Sequence, residues 1–283
     1  MNLKALKQQF ISLISKNHEP EECSGLFELA ATHILNRSRS SLLMMHDLEI
    51  GGSDTSALFQ IASELKAGRP IQYILGEAEF YGLKFYVNPD VLIPRPETEE
   101  LVYLIIQTIK ASAKPYKSFL DIGTGSGCIP ISIKKKVPAL HISALDVSQP
   151  ALAVAKRNAE LNDVTVNFIE ADILTYQSEQ VYDIIVSNPP YIKEDEKSSM
   201  HQNVLSHEPH LALFVSNEDP LVFYKAIAEF SRQRLNTEGF LFFEINEFLG
   251  NEMQQMLSSK GFRNITIVKD MQGKDRIIFC QYL

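Results

Sequence analysis

Asn188-Pro189-Pro190-Tyr191 is the stretch of this chain whose residue types are best suited to chemistry. It follows an apolar run, Tyr182-Asp183-Ile184-Ile185-Val186, that reads as a buried strand. Two consecutive prolines cannot continue a strand ladder, so the chain leaves the sheet after Ser187. Asn188, with one carbonyl acceptor and two N–H donors, then stands at the carboxyl end of a strand. That is the edge at which open α/β sheets bind ligands. Proline fixes φ, so the Asn188 amide and the proline carbonyls are held in one geometry beside an aromatic ring. A rigid set of acceptors of this kind suits a planar group carrying an NH2, either an amide or an amino-purine.

A second set lies upstream. Asp121-Ile122-Gly123-Thr124-Gly125-Ser126-Gly127 is a glycine loop between a strand and a helix. Its glycines let backbone approach a ligand closely, and its N–H groups face a helix N-terminus. The spacing is GxGxG with Cys128 next, whereas a dinucleotide fingerprint has GxGxxG. The difference points away from NAD and toward S-adenosyl-L-methionine, whose carboxylate and amine can sit over such a loop; a tight structural turn is the plainer alternative. Asp146 ends the next strand, nineteen residues after Gly127. A carboxylate there can accept from both hydroxyls of a ribose, or can merely cap a helix. Asp172 and Ile173 follow the third strand, where Ile173 offers an apolar face to an adenine ring; a surface turn explains them equally well.

Residues 1 to 75 are helical: Leu3, Leu6, Phe10, Leu13 and Ile14 recur at helical spacing, then Cys23, Leu26, Phe27, Ala30 and Ile34, then Leu58, Ile61, Ala62 and Leu65. Gly51-Gly52 breaks the pattern, and Ser53 or Asp54 is the expected N-cap of the third of these helices. Residues 76 to 95 are aromatic and β-prone, with Asn88-Pro89-Asp90 as the expected turn of a linking hairpin and Val91-Leu92-Ile93 beyond it. Two prolines hold Arg95 extended, and a helix begins near Thr98. From 117 onward strands and helices alternate: 119–122, 141–146, 165–169 and 182–187 are strands, with helices to Lys136 and from Pro150 to Leu161. Alternation of this kind implies a parallel sheet with right-handed crossovers. Strands at 239–245, 265–268 and 277–280 close the chain, the last two joined by only eight residues and so expected to pair antiparallel. The reading is an α/β domain over 96–283, a small helical domain over 1–75 for substrate recognition, and a hairpin linker over 76–95.

Bulk numbers narrow the class. The 283 residues are 45% hydrophobic and 22% charged, ordinary for a globular chain. No apolar run reaches the ~18 residues of a membrane span, and Met1-Asn2-Leu3-Lys4 opens no signal peptide. Cys23, Cys128 and Cys280 form no CxxC pair, so neither a disulfide framework nor a zinc site is expected, and a reducing cytoplasm is the expected compartment. A net charge of −8 disfavours a partner held mainly through phosphates, and no direct DNA binding is expected. His201, His207 and His210 lack a completing ligand, so no metal is expected. Lys134-Lys135-Lys136 reads as a solvated helix end, with docking of an RNA-bound partner as the alternative.

Together these motifs resemble one family. The chain is similar to class I S-adenosylmethionine-dependent methyltransferases that methylate glutamine in peptide chain release factors, the PrmC/HemK family. The resemblance spans nearly the whole length: Ile71-Gln72-Tyr73-Ile74-Leu75-Gly76, Phe80-Tyr81-Gly82-Leu83, Val91 to Glu99, the glycine loop, and Asn188 to Tyr191. It implies a Rossmann-like domain with a mostly parallel seven-stranded sheet and a small N-terminal helical domain joined by a β-hairpin. It implies S-adenosyl-L-methionine as cofactor and S-adenosyl-L-homocysteine as product. Asp121, Gly123, Thr124, Gly125, Ser126, Gly127, Asp146, Asp172, Ile173 and Asn188 would bind the cofactor. Asn188, Pro189, Pro190 and Tyr191 would hold the glutamine and carry the catalysis, with Tyr191 packed on the substrate side chain. His207-Glu208-Pro209, Val215 to Asp219 and Glu244-Ile245-Asn246-Glu247 depart from the family's usual residues. The alternatives are an adenine-N6 nucleic-acid methyltransferase, a methyltransferase acting on a ribosomal-protein glutamine, and a binding module that has lost turnover.

Overall fold

Apolar residues at helical spacing must find a common core, and in the first 77 residues they find it among themselves. A computed structural model describes residues 1–45, 47–200 and 202–282. Its contacts separate into two units with the boundary between Glu77 and Ala78. The first holds α1 (Leu3–Ile14), α2 (Pro20–Leu35), α3 (Arg39–Met44), α4 (Gly52–Lys66) and α5 (Ile71–Leu75), and is joined by residues 202–207. Leu6, Phe10, Ile14, Cys23, Phe27, Ala30, Leu58 and Leu65 form its interior. The Phe10 and Phe27 rings meet edge to face with centroids 5.3 Å apart, the arrangement the ring quadrupoles favour. Leu13, on the predicted apolar stripe of α1, is instead 39% exposed. The N-cap of α4 is Gly51 rather than Ser53 or Asp54. The helix starts at Gly52, which places both side chains inside its first turn.

The hairpin is tighter than the predicted one. β1 (Glu77–Phe80) and β2 (Leu83–Tyr86) are joined by Tyr81 and Gly82, both at positive φ, 52° and 73°. Two left-handed residues form the turn whose twist matches a two-residue hairpin. Asn88-Pro89-Asp90 also turns, but Val91-Leu92-Ile93 is not a strand and runs on as a loop. α6 (Pro96–Ala111) begins two residues before Thr98, with Arg95 as N-cap and Pro96 at the first helical position, where a missing N–H costs nothing.

Strands and helices then alternate: β3 (Ser118–Ile122), α7 (Cys128–Lys136), β4 (His141–Asp146), α8 (Gln149–Leu161), β5 (Asn167–Glu170) and β6 (Tyr182–Ser187). β5 starts two residues later than predicted. After β6 come the short β7 (Ile192–Lys193), α9 (Gln202–His207) and β8 (Phe214–Val215), then α10 (Val222–Arg234), β9 (Leu235–Glu244), α11 (Gly250–Ser259), β10 (Arg263–Lys269) and β11 (Asp275–Tyr282). The main sheet has the order β10-β11-β9-β6-β3-β4-β5. β3, β4, β5, β6 and β9 run parallel, while β11 is antiparallel to both β9 and β10. This bears out the predicted fold class. One core holds Leu120, Ile185, Tyr224, Leu241 and Phe243; the other holds Phe119, Ile131, Ile184, Val186 and Phe242. Consecutive residues of β3, β6 and β9 thus feed opposite faces, as the pleat requires.

Candidate active site

Strand order decides where a ligand can enter. The chain travels from β3 outward to β5, then returns to place β6 on the other side of β3. The crevice lies at the carboxyl ends of the two strands flanking that reversal. Ile122 of β3 is in register with Ser187 of β6 and with Leu145 of β4. The Ser187 hydroxyl donates to the Ile122 carbonyl at 2.6 Å. The glycine loop, Asp146 and Asn188 therefore leave the sheet at the same level.

They enclose a cavity of about 340 Å³. Gly123, Thr124, Gly125, Ser126, Asp146, Asp172, Ile173, Asn188, Pro189 and Pro190 all line it. Three predicted residues do not. Asp121 is fully buried, beneath the loop rather than in the wall. Gly127 faces the protein: a Cβ there would come within 2.9 Å of Ile131 Cδ1 and 3.2 Å of the Ala155 Cβ, so this glycine serves packing. Tyr191 turns its hydroxyl to Glu244 Oε1 at 3.3 Å, and its ring packs against the core. No metal-binding group of three acidic, Cys or His side chains occurs among the described residues, and His201 lies outside them. Lys134 and Lys135 donate to the carbonyls of Pro138, Leu140 and Asn162, so these two lysines finish a helix end.

The loop is held from within. Gly123 and Thr124 N–H both donate to the Leu145 carbonyl, at 2.8 and 3.0 Å. Asp146 Oδ2 accepts from Gly125 N–H at 2.8 Å and Oδ1 from Ser148 N–H at 2.9 Å. Burial pushes the Asp146 carboxyl up, against these hydrogen bonds. Gly123 and Gly125 have positive φ, and a Cβ on either would point into open space. A loop in which side chains would project only into a cavity is the kind of cradle a ligand fills.

The far wall includes Val91, Leu92, Ile93, Pro94 and Arg95. Glu208, 4% exposed, fastens this segment: its Oε1 accepts from Arg95 Nη2 at 2.5 Å and its Oε2 from Ile93 N–H at 3.3 Å. Thr98, also in the wall, donates to Glu244 Oε2 at 2.7 Å. Glu244 is 2% exposed, and burial raises its carboxyl, opposed chiefly by that bond from Thr98. The roles of Thr98, Glu208 and Glu244 had no local signal, since each pairs with a residue about 50 to 150 positions away.

A parallel sheet with an antiparallel final strand, a glycine cradle and an Asn-Pro-Pro-Tyr strand end define an S-adenosylmethionine-type class I methyltransferase domain. Residues 101–212 match the Methyltransferase small domain family, and residues 5–76 match the PrmC N-terminal domain family. The release factor glutamine methyltransferase of Flavobacterium psychrophilum is 44% identical over 280 residues, covering 98% of each chain. That of Bacteroides thetaiotaomicron is 44% identical, covering 92% of this chain and 93% of its own. A methyltransferase from Pyrococcus furiosus of known structure, 19% identical, superposes with a TM-score of 0.53 over 72% of this chain and 90% of its own, and shares the fold. The chain belongs to the release factor glutamine methyltransferase family.

Proposed function

We propose that this protein transfers the methyl group of S-adenosyl-L-methionine to the side-chain amide nitrogen (N5) of the glutamine in the Gly-Gly-Gln motif of peptide chain release factors, leaving S-adenosyl-L-homocysteine. The observation that carries this reading is the common level of Gly123 and Asn188, set by the Ile122–Ser187 register, in one cavity. The residues fit the cofactor. Gly123 to Ser126 would lie under its amino-acid part, Asp146 would accept from its ribose, and Ile173 would face its adenine. Bound there, the sulfonium supplies an electrophilic methyl carbon.

An amide nitrogen is a poor nucleophile because its lone pair is shared with the carbonyl. Asn188 Oδ1 and the Pro189 carbonyl would accept its two hydrogens and hold the nitrogen toward the cofactor side of the cavity. That nitrogen would take the methyl of the bound sulfonium as the C–S bond is lost, and the nitrogen's proton would leave to water. No dedicated base is required, because the proton becomes acidic only as the bond forms. Orientation supplies most of the rate. The N-terminal helical unit would make the contacts that select the release factor, in the cytoplasm. No helix among the described residues is long and apolar enough to cross a membrane.

The test is mass spectrometry of purified release factor after incubation with the protein and S-adenosyl-L-methionine, with a DNA duplex as the parallel substrate. One added methyl on the Gly-Gly-Gln glutamine is the expected result. Methylation of DNA with none on the release factor would overturn the reading.

A further inference from the structure

Resting on that reading, we infer that Glu244 and Thr98 are positioning residues that set which way round the Asn188 amide faces, so that its oxygen and not its NH2 meets the substrate. An asparagine amide is nearly symmetric in shape but opposite in polarity at its two ends. Reversed, Asn188 would offer hydrogens to a substrate NH2 that itself has only hydrogens to give.

The polarity is imposed from the interior. The Thr98 hydroxyl has one hydrogen and gives it to Glu244 Oε2 at 2.7 Å. Toward Asn188 the same oxygen can therefore only accept, and Asn188 Nδ2 lies 3.4 Å from it. The amide nitrogen is drawn inward, which leaves Oδ1 for the cavity. Glu244 cannot drift: it ends β9, its other oxygen accepts from the Tyr191 hydroxyl at 3.3 Å, and its backbone carbonyl accepts from the Tyr224 hydroxyl at 2.9 Å. Thr98 is 3% exposed and stands in the first turn of α6. Both Glu244 oxygens accept, one from the Thr98 hydroxyl and one from the Tyr191 hydroxyl, so a chain that starts at Glu244 has one direction throughout. Three residues from three separate elements, α6, the end of β6 and the end of β9, make one relay. Glu244 itself does not line the cavity, so its effect on the substrate must pass through its neighbours.

Thr98→Val removes both the donor and the acceptor and keeps the shape. Loss of a partner that orients a functional side chain costs roughly 10- to 100-fold in activity. We expect kcat on a release factor to fall by about that factor, with calorimetric affinity for S-adenosyl-L-homocysteine within about threefold of the parent. Thr98→Ser, which keeps the hydroxyl, should recover most of the turnover. In an Asn188→Ala background, Thr98→Val should have little further effect on kcat, because the relay then has nothing to orient. Should Thr98→Val not accumulate folded, Thr98→Ala takes its place in the same comparison. Full turnover in Thr98→Val or Thr98→Ala would overturn the inference, as would equal losses with and without Asn188. Absence of transfer by the parent protein would instead overturn the proposed function.

Discussion

Asp121 offers a test whose size follows from its surroundings. It is fully buried beneath the glycine loop, and neither carboxyl oxygen has a hydrogen-bond partner among the described residues. Burial pushes its carboxyl up to about 7 from an ordinary 3.8, and the Asp146 charge adds to the rise; the Thr124 hydroxyl nearby opposes it without reaching hydrogen-bond geometry. The sign follows from proton counting. Between those two values the unfolded chain has lost the proton while the folded protein keeps it. Folding is then opposed by ~1.36 kcal/mol for each pH unit. The contribution is fully present below pH 3.8 and is lost as pH rises through about 7, up to about 4 kcal/mol in all. That is a large share of the ~5–15 kcal/mol of a typical domain. Asp121→Asn removes the titration. Its buried NH2 has its own cost, but that cost does not vary with pH and cancels in a profile. Urea unfolding of parent and variant without cofactor, at steps from pH 4 to 8, should show the variant gaining on the parent by up to about 4 kcal/mol, with no further gain above pH 8. A difference that stays flat across this range would refute the assignment of a protonated Asp121 under the loop.

Other substitutions separate packing from binding within the same loop. Gly127→Ala combines left-handed strain of roughly 1–2 kcal/mol with overpacking of roughly 1–3 kcal/mol against Ile131 and Ala155, so denaturant unfolding should show a loss of about 2–5 kcal/mol. Gly125→Ala, where a Cβ meets only open space, should lose only the strain in stability but should bind S-adenosyl-L-homocysteine more weakly by calorimetry. Asn188→Ala should cut kcat by roughly 10²–10³ with cofactor affinity nearly intact; a variant retaining most of its turnover would remove Asn188 from the reaction. Asp146→Ala should lower cofactor affinity by at least the tenfold to hundredfold of one hydrogen bond, roughly 1.5–3 kcal/mol. It also releases Gly125 N–H and Ser148 N–H, so unchanged affinity would contradict both roles at once.

The parts of this fold readable in advance are those with a local cause. β6 matches its predicted span because two prolines stop an apolar run, and β4 because its apolar run ends at Asp146, just before the Ser148 that caps α8. The antiparallel β10–β11 pair followed from a connection too short for a crossover. The hairpin was displaced because its turn is made by Tyr81 and Gly82. A tyrosine at positive φ has no sequence signature, whereas Asn-Pro-Asp looks like a turn wherever it stands. The start of α6 moved to Pro96 for a related reason: a proline that bars the residue before it from a helix is itself well placed at a helix start.

The site divides along the same line. Residues that turn their backbone to the cavity, Gly123 and Gly125, are visible as spacing, because glycine adopts positive φ at no steric cost and leaves the cavity side open. Residues that act through buried side-chain partners are not. Glu208 and Glu244 look in sequence like two of many acidic residues, and a carboxylate is normally a surface group. What distinguishes them is that each is almost wholly buried and holds a donor from a distant segment: Arg95 and Ile93 for Glu208, Thr98 and Tyr191 for Glu244. A buried carboxylate is tolerated only where donors satisfy it. The cost of leaving either one unpaired is what makes the segments around Arg95 and Asn188 close on the cavity in a single geometry. Asn-Pro-Pro-Tyr supplies a rigid acceptor at a strand end; Thr98 and Glu244 supply the direction in which it accepts.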